Sequence, residues 1–336
     1  MSITFAAVGA AHPHVHGQIA ALLAAGAHLK WFYDDDPSVC SGITSRYGVA
    51  LARGIDEILD DPEVRLVVST VVHQQRAALG IATMQRGKDY LCAKPGFTSF
   101  EQLAEARRVQ QQTGRIYNVY FGERLASAAT IKAGELVRAG RIGQVIQTIG
   151  FGPHRLNIPS RPDWWFERSQ HGGILNDLAS HQIDQFLHFT GSTDAEIASA
   201  QTGNAKFRQF PNFEDFGDVV LRNDRATGYI RVDWLTPDGL PTWGDVRLFL
   251  IGTHGTIELR KNIDLDGHAG TDHLFVVDNH GIERVSCEGV ELPFARQLIA
   301  DVLERTQTAM SQTHCFKVCE LALRAQAQAI RLPFER

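Results

Sequence analysis

The spacing of hydrophobic and polar positions divides the chain into two regions. In the first third, short β-branched runs alternate with amphipathic stretches, which is the pattern of a parallel sheet covered by helices. The predicted strands are Ile3–Val8, His28–Asp34, Leu66–Thr70, Asp89–Cys92 and Arg115–Tyr120. The predicted helices are Val15–Ala25, Ser38–Tyr47, Arg76–Arg86 and Phe100–Thr113. Ser99, with Gln102 three residues later, resembles a capping box for the last of these helices.

From about Phe121 the pattern becomes that of an antiparallel sheet with one open face. The predicted strands are Gln144–Gly150, Phe216–Leu221, Gly228–Trp234, Val246–Ile251 and Thr256–Leu259. The predicted helices are Ala126–Ala139, Glu291–Met310 and Phe316–Arg331. The sequence therefore predicts an α/β domain in residues 1–121, followed by an α+β domain in residues 122–336.

Composition and charge narrow the function classes. Of the 336 residues, 44% are hydrophobic and 21% are charged, which suits a protein with a substantial core. The net charge of −5 argues against a nucleic-acid or anionic-membrane surface, and no apolar run approaches the ~20 residues that span a bilayer. The N-terminus does not resemble a signal sequence, and five scattered cysteines suit reduced thiols. We expect a soluble, cytoplasmic protein without nucleic-acid or membrane partners.

The end of the first predicted strand carries the first candidate chemistry. Gly9 permits a tight turn, so that the following helix can present its N-terminus to a pyrophosphate. The glycine-rich motif is incomplete, because Ala11 and His14 occupy its second and third glycine positions. The second strand ends in Asp34, 25 positions after Gly9, where a carboxylate accepts ribose hydroxyls and repels a 2′-phosphate. This arrangement favours NAD over NADP, although the run of three aspartates also suits a solvated turn.

Histidines in the same loop permit a different interpretation. His12, His14 and His16 form a His-x-His pattern after a first strand, as in metal-dependent amidohydrolases, and imidazoles suit Zn²⁺. Such an enzyme is a (β/α)₈ barrel with further strand-end ligands, and the β-rich second half of the chain argues against it. We predict no metal site and assign His12 to the cofactor loop.

A second candidate lies after two glycines in the later half of the chain. Asp177, His181 and Asp184 have i, i+4 and i+7 spacing, which places them on one stripe of an α-helix. A carboxylate beside an imidazole can transfer a proton to or from a substrate oxygen. The same spacing also fits a solvated helix face.

Two separated motifs stand out together. One is Tyr90-Leu91-Cys92-Ala93-Lys94-Pro95 at a strand end, and the other is Gly172-Gly173-x-Leu175-x-Asp177-x-x-x-His181-x-x-Asp184. With Arg124 and the passage Gly140-Arg141-Ile142-Gly143, they resemble the glucose–fructose oxidoreductase / inositol dehydrogenase family (Gfo/Idh/MocA). The resemblance covers essentially the whole chain.

The resemblance implies a Rossmann domain followed by an α/β domain with an open, largely antiparallel sheet. It also implies NAD(P)-dependent oxidation of a hydroxyl, or reduction of the ketone, in sugars, cyclitols and related polyols. By similarity, Lys94 lies near the nicotinamide ribose and the reacting hydroxyl, Asp177 orients the substrate and His181 is the acid/base. An imidazole titrates near working pH, and a lysine ammonium lowers the cost of a developing alkoxide. Asp184 is assigned to support of the helix or its histidine.

The sequence departs from the family pattern around the cofactor. Ala93 replaces the glutamate that commonly precedes the lysine, and Ser69–His73 replaces the usual Thr-Pro-Asn after the fourth strand. Neither change, nor the loss of two loop glycines, touches the proposed catalytic residues. The predicted cofactor contacts are Gly9, Ala11, His12, Asp34, Thr70, His73 and Lys94.

Further residues are assigned to the substrate. Arg124 lies where the chain passes between the predicted domains, and an interdomain salt bridge is an equal alternative. Trp164 and Trp165 offer aromatic faces to sugar C–H groups, with loop packing as an equal alternative. His154 follows a strand and is placed over the same cleft.

The predicted function is hydride transfer between NAD and a secondary hydroxyl or ketone of a sugar, cyclitol or sugar-derived polyol. Two alternatives stay open. In one, bound NAD assists cleavage or elimination of a glycoside through transient oxidation, and in the other the chain is a non-catalytic, dinucleotide-binding regulator. The uncovered sheet face predicts a homodimer or homotetramer.

Overall fold

The structure, a computed structural model, describes residues 2–334. Its strands are β1 Thr4–Ala10, β2 His28–Tyr33, β3 Ala50–Leu51, β4 Val64–Thr70, β5 Asp89–Ala93, β6 Tyr117–Tyr120, β7 Val145–Pro153, β8 Glu196–Gly203, β9 Phe216–Arg222, β10 Thr227–Asp233, β11 Arg247–Gly252, β12 Gly255–Arg260, β13 His273–Asp278, β14 Gly281–Val285 and β15 Ile330–Leu332. Its α-helices are α1 His14–Ala24, α2 Pro37–Tyr47, α3 Ile55–Asp60, α4 Arg76–Gln85, α5 Phe100–Thr113, α6 Gly122–Leu125, α7 Ala128–Arg138, α8 Arg168–His171, α9 Ser180–Thr190, α10 Phe294–Glu304 and α11 Gln312–Gln328.

The chain separates into two units. The first runs to Tyr120 and also contains Pro293–Phe316, while the second contains Phe121–Leu292 and the chain from Lys317 onward. The sequence analysis placed residues 293–316 in the second domain. The structure groups them with the first unit, because α10 packs against α1.

The first unit is a parallel sheet flanked by helices. Its strand order is β3-β2-β1-β4-β5-β6, which is the order of a dinucleotide-binding Rossmann fold. The predicted strands and helices of this region are confirmed to within a few residues, and β3 and α3 are additional. The central strand β1 is buried along Phe5–Val8, as a strand covered on both faces requires.

The second unit is built on a mixed, mainly antiparallel sheet. Its strand order is β14-β13-β12-β11-β7-β10-β9-β8-β15, with parallel pairing only between β7 and β10 and between β8 and β15 in the part of the chain described. Helices α7 and α9 cover one face, and burial alternates along β10 and β11 because the other face is partly open. The predicted fold class is confirmed, and this topology excludes the (β/α)₈ barrel of the metal-hydrolase alternative.

Several predicted elements differ from the structure for local reasons. The strand β14 was missed because its first four residues are all exposed, so it shows no alternation. The helix predicted over Ala126–Ala139 begins two residues later, at Ala128, because Ser127 caps α7 by accepting the Thr130 amide. The helix predicted over Glu291–Met310 is shorter, since α10 begins after Pro293 and ends at Glu304, before Arg305 with its φ of +59°.

Two further findings concern thiols and membranes. All five cysteines lie within residues 2–334 and are free, and burial raises the pKa of Cys92 to about 12. This thiol therefore stays protonated and serves as a packing residue. Within the described part of the chain, every helix is too short or too polar to span a lipid bilayer.

Candidate active site

The carboxyl ends of β1, β2 and β4 bring together residues that the sequence assigned to a dinucleotide. Gly9 has a φ of +78°, and a Cβ atom there would lie 2.9 Å from the backbone of Val71. Thr70 Oγ1 donates to Gly9 O at 2.9 Å, and Asp34 Oδ2 accepts the Ala10 amide at 2.8 Å. Gly9, Asp34 and Thr70 thus meet at the sheet edge where open α/β folds bind ligands.

Asp34 keeps acceptor capacity in this arrangement. Its Oδ2 accepts one backbone amide, from Ala10, and its Oδ1 accepts another, from Asp36. A carboxylate offers about four acceptor sites, so ribose hydroxyls can still bind to it. The turn residues Asp35 and Asp36 are exposed and add negative charge at the same position.

The histidines of the loop do not form one ligand set. The rings of His12 and His14 lie 3.9 Å apart, and Nδ1 of His12 accepts the His14 amide at 3.2 Å. Nδ1 of His16 instead contacts the Tyr47 hydroxyl at 3.0 Å. His12 therefore closes the turn before α1, at the helix end that attracts anions. His73, also assigned to the cofactor, is buried in a 3₁₀ turn after β4.

Lys94 follows β5 directly, and its side chain is 3% exposed. The peptide between Lys94 and Pro95 is cis. The chain leaves β5 after Ala93, so the carbonyl groups of Lys94 and Pro95 lie outside the strand and need donors from elsewhere.

Arg76, which sequence reasoning treated only as a helix residue, supplies those donors. Its side chain is fully buried, and its Nη1 donates to the carbonyl oxygens of Ala93, Lys94 and Pro95, at 3.0 Å for Ala93 and 3.1 Å for Pro95. Its Nε donates to Val71 O at 2.9 Å. One guanidinium thus joins the Lys94 turn to the loop after β4, which packs on Gly9.

The second motif does not fold as one α-helix. Leu175–Ala179 forms a π-helical turn, and α9 begins at Ser180. A π turn has i→i+5 hydrogen bonds, so the predicted single α-helical stripe is wrong at Asp177. The alternative of a solvated face is also wrong, because Asp177 is 0% and His181 4% exposed. The ring of His181 meets Phe121 edge-to-face, with 6.4 Å between ring centroids.

Two distant side chains hold the start of the π turn. Gln326 Oε1 accepts the Leu175 amide at 2.8 Å and the Asn176 amide at 3.4 Å. Glu214 Oε2 accepts the Ile174 amide at 3.0 Å, and Gln326 Nε2 donates to the Glu214 carboxylate at 3.1 Å. These acceptors satisfy amides that the first turn of a helix leaves without a partner. A Cβ atom on Gly173 would lie 2.3 Å from the Gln326 side-chain amide, so only glycine leaves room for it.

His171 is a functional candidate that the sequence analysis did not assign. It is buried at the end of α8, and its Nε2 lies 3.2 Å from Asp177 Oδ2. Two glycines separate His171 from the turn of Asp177, so no helical spacing links them. Asp177 therefore has two histidines within a few residues of it in the sequence, His171 before it and His181 after it.

Arg124 and Asp184 are partners. The guanidinium Nε and Nη2 of Arg124 donate to the two carboxylate oxygens of Asp184 at 2.6 and 2.8 Å, and both residues are buried. The salt bridge considered for Arg124 exists, but it lies within the second unit and is not interdomain. This bidentate pair ties α6 to α9 and supports the helix, the role expected of Asp184.

The remaining substrate candidates form an aromatic cluster in the second unit. The ring of His154 lies 4.5 Å from Trp243 and 5.3 Å from Trp234, as centroid distances. Trp165 is 1% exposed and packs on Trp234, whereas Trp164 is half-buried. Trp165 therefore packs in the protein interior, which was the alternative to a sugar contact, whereas the ring of Trp164 is partly accessible.

Two sequence models of one family match the chain. The model described as "Oxidoreductase family, NAD-binding Rossmann fold" matches residues 3–121, and the GFO/IDH/MocA C-terminal domain matches residues 130–258. The chain belongs to the GFO/IDH/MocA family. The family resemblance inferred from the Lys94 and Asp177 motifs is confirmed.

Relatives of this family member include named enzymes. The crystal structure of a candidate oxidoreductase from Erwinia carotovora atroseptica has 43% identity and a TM-score of 0.96, over 98% of this chain and 99% of that one. Levoglucosan dehydrogenase of Pseudarthrobacter phenanthrenivorans is 27% identical over 67% of this chain and 55% of its own length. The scyllo-inositol 2-dehydrogenase (NADP(+)) of Bacillus subtilis is 29% identical over 45% of this chain and 42% of its own length. The chain spans about half the length of the curated relatives it matches.

Proposed function

We propose that this family member is an NAD-dependent dehydrogenase of a secondary hydroxyl in a sugar, cyclitol or sugar-derived polyol. The observation that carries the proposal is the buried turn of Asp177 and His181, fixed by Gln326 and Glu214. A buried carboxylate and a buried imidazole four residues apart suit proton transfer to and from a substrate oxygen. The names of the levoglucosan and scyllo-inositol relatives support this substrate class.

The first unit fits a dinucleotide. Gly9 lets the loop before α1 turn tightly against Val71, and the N-terminus of α1 favours a pyrophosphate. Asp34 retains acceptor sites for ribose hydroxyls, and the neighbouring aspartates disfavour a 2′-phosphate. We therefore assign NAD in preference to NADP, with Gly9, Ala11, His12, Asp34, Thr70, His73 and Lys94 as its contacts.

The chemistry follows from the residue types. The hydride acceptor is supplied by the nicotinamide when the cofactor is bound. His181 takes the hydroxyl proton through an imidazole nitrogen, Asp177 accepts a hydrogen bond that orients the substrate, and the Lys94 ammonium stabilises the oxygen as it gains negative charge. In the reverse direction His181 returns the proton to the oxygen.

We also propose that the second unit forms a homodimer or homotetramer through its open sheet face. Neighbouring strands place Ile149, Tyr229 and Phe249 side by side on that face, and each is only partly buried. Apolar side chains exposed in such a row favour burial against another surface. Light scattering of the purified protein measures the mass, and a monomer would contradict this proposal.

The test of activity is NADH formation by the purified full chain with a panel of polyols, using His181→Ala and His188→Ala. His188 lies on the same helix and is exposed, so its loss serves as the matched control. We expect the His181 variant to lose about 100-fold or more in kcat and the His188 variant to retain activity.

Other outcomes would replace the proposal. Full activity in His181→Ala would remove the assigned acid/base. Release of sugar from a glycoside without accumulation of NADH would support catalysis by transient oxidation. Tight NAD binding without turnover of any polyol would support a regulator.

A further inference from the structure

Arg161 differs from the other arginines of the second unit. Most of these arginines lie within 4 Å of a carboxylate, as Arg124, Arg231 and Arg260 do. The described ones that have no carboxylate this close are otherwise exposed: Arg138, Arg208, Arg225 and Arg331. Arg161 is half-buried and has no carboxylate within that distance among the residues described. A cation removed from water without a counter-ion is costly, so its retention requires an explanation.

The surroundings of Arg161 fix the guanidinium without neutralising it. Its Nε donates to Leu156 O at 2.9 Å, and this is its one hydrogen bond within the described chain. The guanidinium carbon lies 4.1 Å from the ring centroid of Trp165 and 5.4 Å from that of Trp234. Both indoles are buried, so they form a rigid apolar surface on which the cation stacks. The two terminal nitrogens keep their donors for another group.

Arg161 is also close to the proposed substrate residues in the second unit. Burial lowers its pKa, and the carboxylate of Asp177 acts in the opposite direction. The two groups are thus in electrostatic range, although they are not within salt-bridge distance. Trp165, which carries the guanidinium, packs against His171, with 5.0 Å between ring centroids. The guanidinium of Arg161 is therefore within electrostatic range of Asp177 and stacks on the indole that packs against His171.

We propose that Arg161 binds a carboxylate of the substrate, so that the enzyme acts on sugar acids in preference to neutral sugars. The inference rests on the proposed dehydrogenase function and specifies its substrate class. A planar guanidinium with two terminal nitrogens matches a carboxylate in a bidentate pair. The indole surface excludes water from one side of the pair, which strengthens it. A neutral sugar would leave the cation unpaired, and this difference produces the selectivity.

The experiment compares matched acid and neutral substrates in the full chain. NADH formation is followed with D-glucuronate against D-glucose and with D-galacturonate against D-galactose, and D-glucose 6-phosphate tests a different anion. The proteins are wild type, Arg161→Gln and Arg225→Gln. Arg225 is exposed on a loop, so its variant removes the same charge from the unit without touching the cluster.

We expect wild type to favour each acid over its neutral partner in kcat/KM. Arg161→Gln should lose about 10- to 100-fold on the acids, chiefly through KM, and change little on the neutral sugars. Arg225→Gln should behave as wild type. Equal activity on acid and neutral partners in wild type would overturn the proposal. An equal loss on both classes in Arg161→Gln would do the same, since it would indicate a structural role only. A preference for glucose 6-phosphate over glucuronate would overturn the carboxylate assignment.

A binding measurement separates this inference from the dehydrogenase proposal. Calorimetric titration of D-glucuronate and D-glucose into each protein, with saturating NADH present, reports affinity without turnover. Binding of glucuronate that weakens in Arg161→Gln alone would support the acid site even if no substrate is oxidised. If NADH formation depends on His181 but is equal for acid and neutral sugars, the dehydrogenase proposal is supported and the proposed acid site is contradicted.

Discussion

The turn that carries Lys94 and the turn that carries Asp177 leave different backbone groups without a backbone partner, carbonyl oxygens in the first and amide N–H groups in the second. The Lys94 turn leaves a β-strand and presents carbonyl oxygens, so it needs donors. The Asp177 turn begins a helix and presents amides, so it needs acceptors. Each turn is completed by a buried side chain from elsewhere in its own unit: Arg76 in the first and Gln326, with Glu214, in the second.

The chemical types of the supporting side chains follow from this difference. Arginine carries only donors, so Arg76 can bind four carbonyl groups at once, one through Nε and three that share the two hydrogens of Nη1. A glutamine has one acceptor oxygen and a separate donor, so Gln326 can accept two amides while its nitrogen binds Glu214. In both turns, a buried side chain supplies the hydrogen-bonding group for which the turn has no backbone partner: donors for the carbonyl groups and acceptors for the amides.

The largest expected effect is that of Arg76→Leu. Three buried carbonyl groups and one partly buried carbonyl group would lose this donor, and we expect the free energy of unfolding to fall by about 3–5 kcal/mol, measured by urea denaturation. Arg108→Leu is the control, because Arg108 is an exposed partner of Glu105 on α5 and its loss should cost no more than about 0.5 kcal/mol. Arg76→Lys, which keeps the charge and three donors, should recover part of the loss. A cost for Arg76→Leu similar to that of the control would show that the hydrogen bonds from Arg76 to these carbonyl groups do not stabilise the fold.

A smaller effect is expected where Gln326 meets Glu214. Gln326→Glu would place two carboxylates against each other and should cost about 2–3 kcal/mol at neutral pH. The swapped pair, Gln326→Glu with Glu214→Gln, restores one amide and one carboxylate, so the double variant should recover part of that cost, although Arg168 loses its ion pair with Glu214. A double-mutant cycle from urea denaturation measures the coupling. If the two changes are simply additive, the contact between Gln326 and Glu214 does not stabilise the turn.

The smallest expected effect compares two glycines of the second unit. Gly173 and Gly191 have φ values of +91° and +64°, but a Cβ atom at Gly191 meets only open space. Gly191→Ala should therefore cost about 1 kcal/mol from backbone strain alone. Gly173→Ala should cost roughly 1–2 kcal/mol more, because its methyl group displaces the Gln326 amide. Thermal unfolding measures the loss of stability in each variant. Equal losses would show that the turn tolerates displacement of the Gln326 amide.

Local capping shows how far sequence reasoning reaches. Ser99 caps α5 by accepting the Gln102 amide, as its spacing predicted, although the Gln102 side chain accepts the Thr98 amide rather than that of Ser99. This cap involves neighbours in the chain, so its pattern is visible in a short window. Glu214 and Gln326 cap the Asp177 turn from 40 and 151 positions away, and no window links them.

The same distinction applies to the site residues. Gly9, Asp34 and Lys94 occupy strand ends that a βαβ pattern locates, so the sequence predicted where each would lie. The π turn at Asp177 was not predictable, because a helical repeat alone does not show where one extra residue is inserted. The proposed role of Arg161 could not be predicted from the sequence either. It depends on the lack of a carboxylate within 4 Å and on two tryptophans that lie 4 and 73 positions away in the sequence.

The sequence by itself determined the two-part α/β architecture, the family and the place of Lys94 at the end of β5. Each of these depends on periodicity or on motifs of a few adjacent residues, which short-range steric and hydrogen-bonding rules control. The tertiary structure decided what holds those residues: Arg76 on the Lys94 turn, Gln326 and Glu214 on the Asp177 turn, and Arg124 on Asp184. Buried polar groups must find partners, and the partner is whichever side chain the packed fold brings within reach, regardless of its distance along the chain.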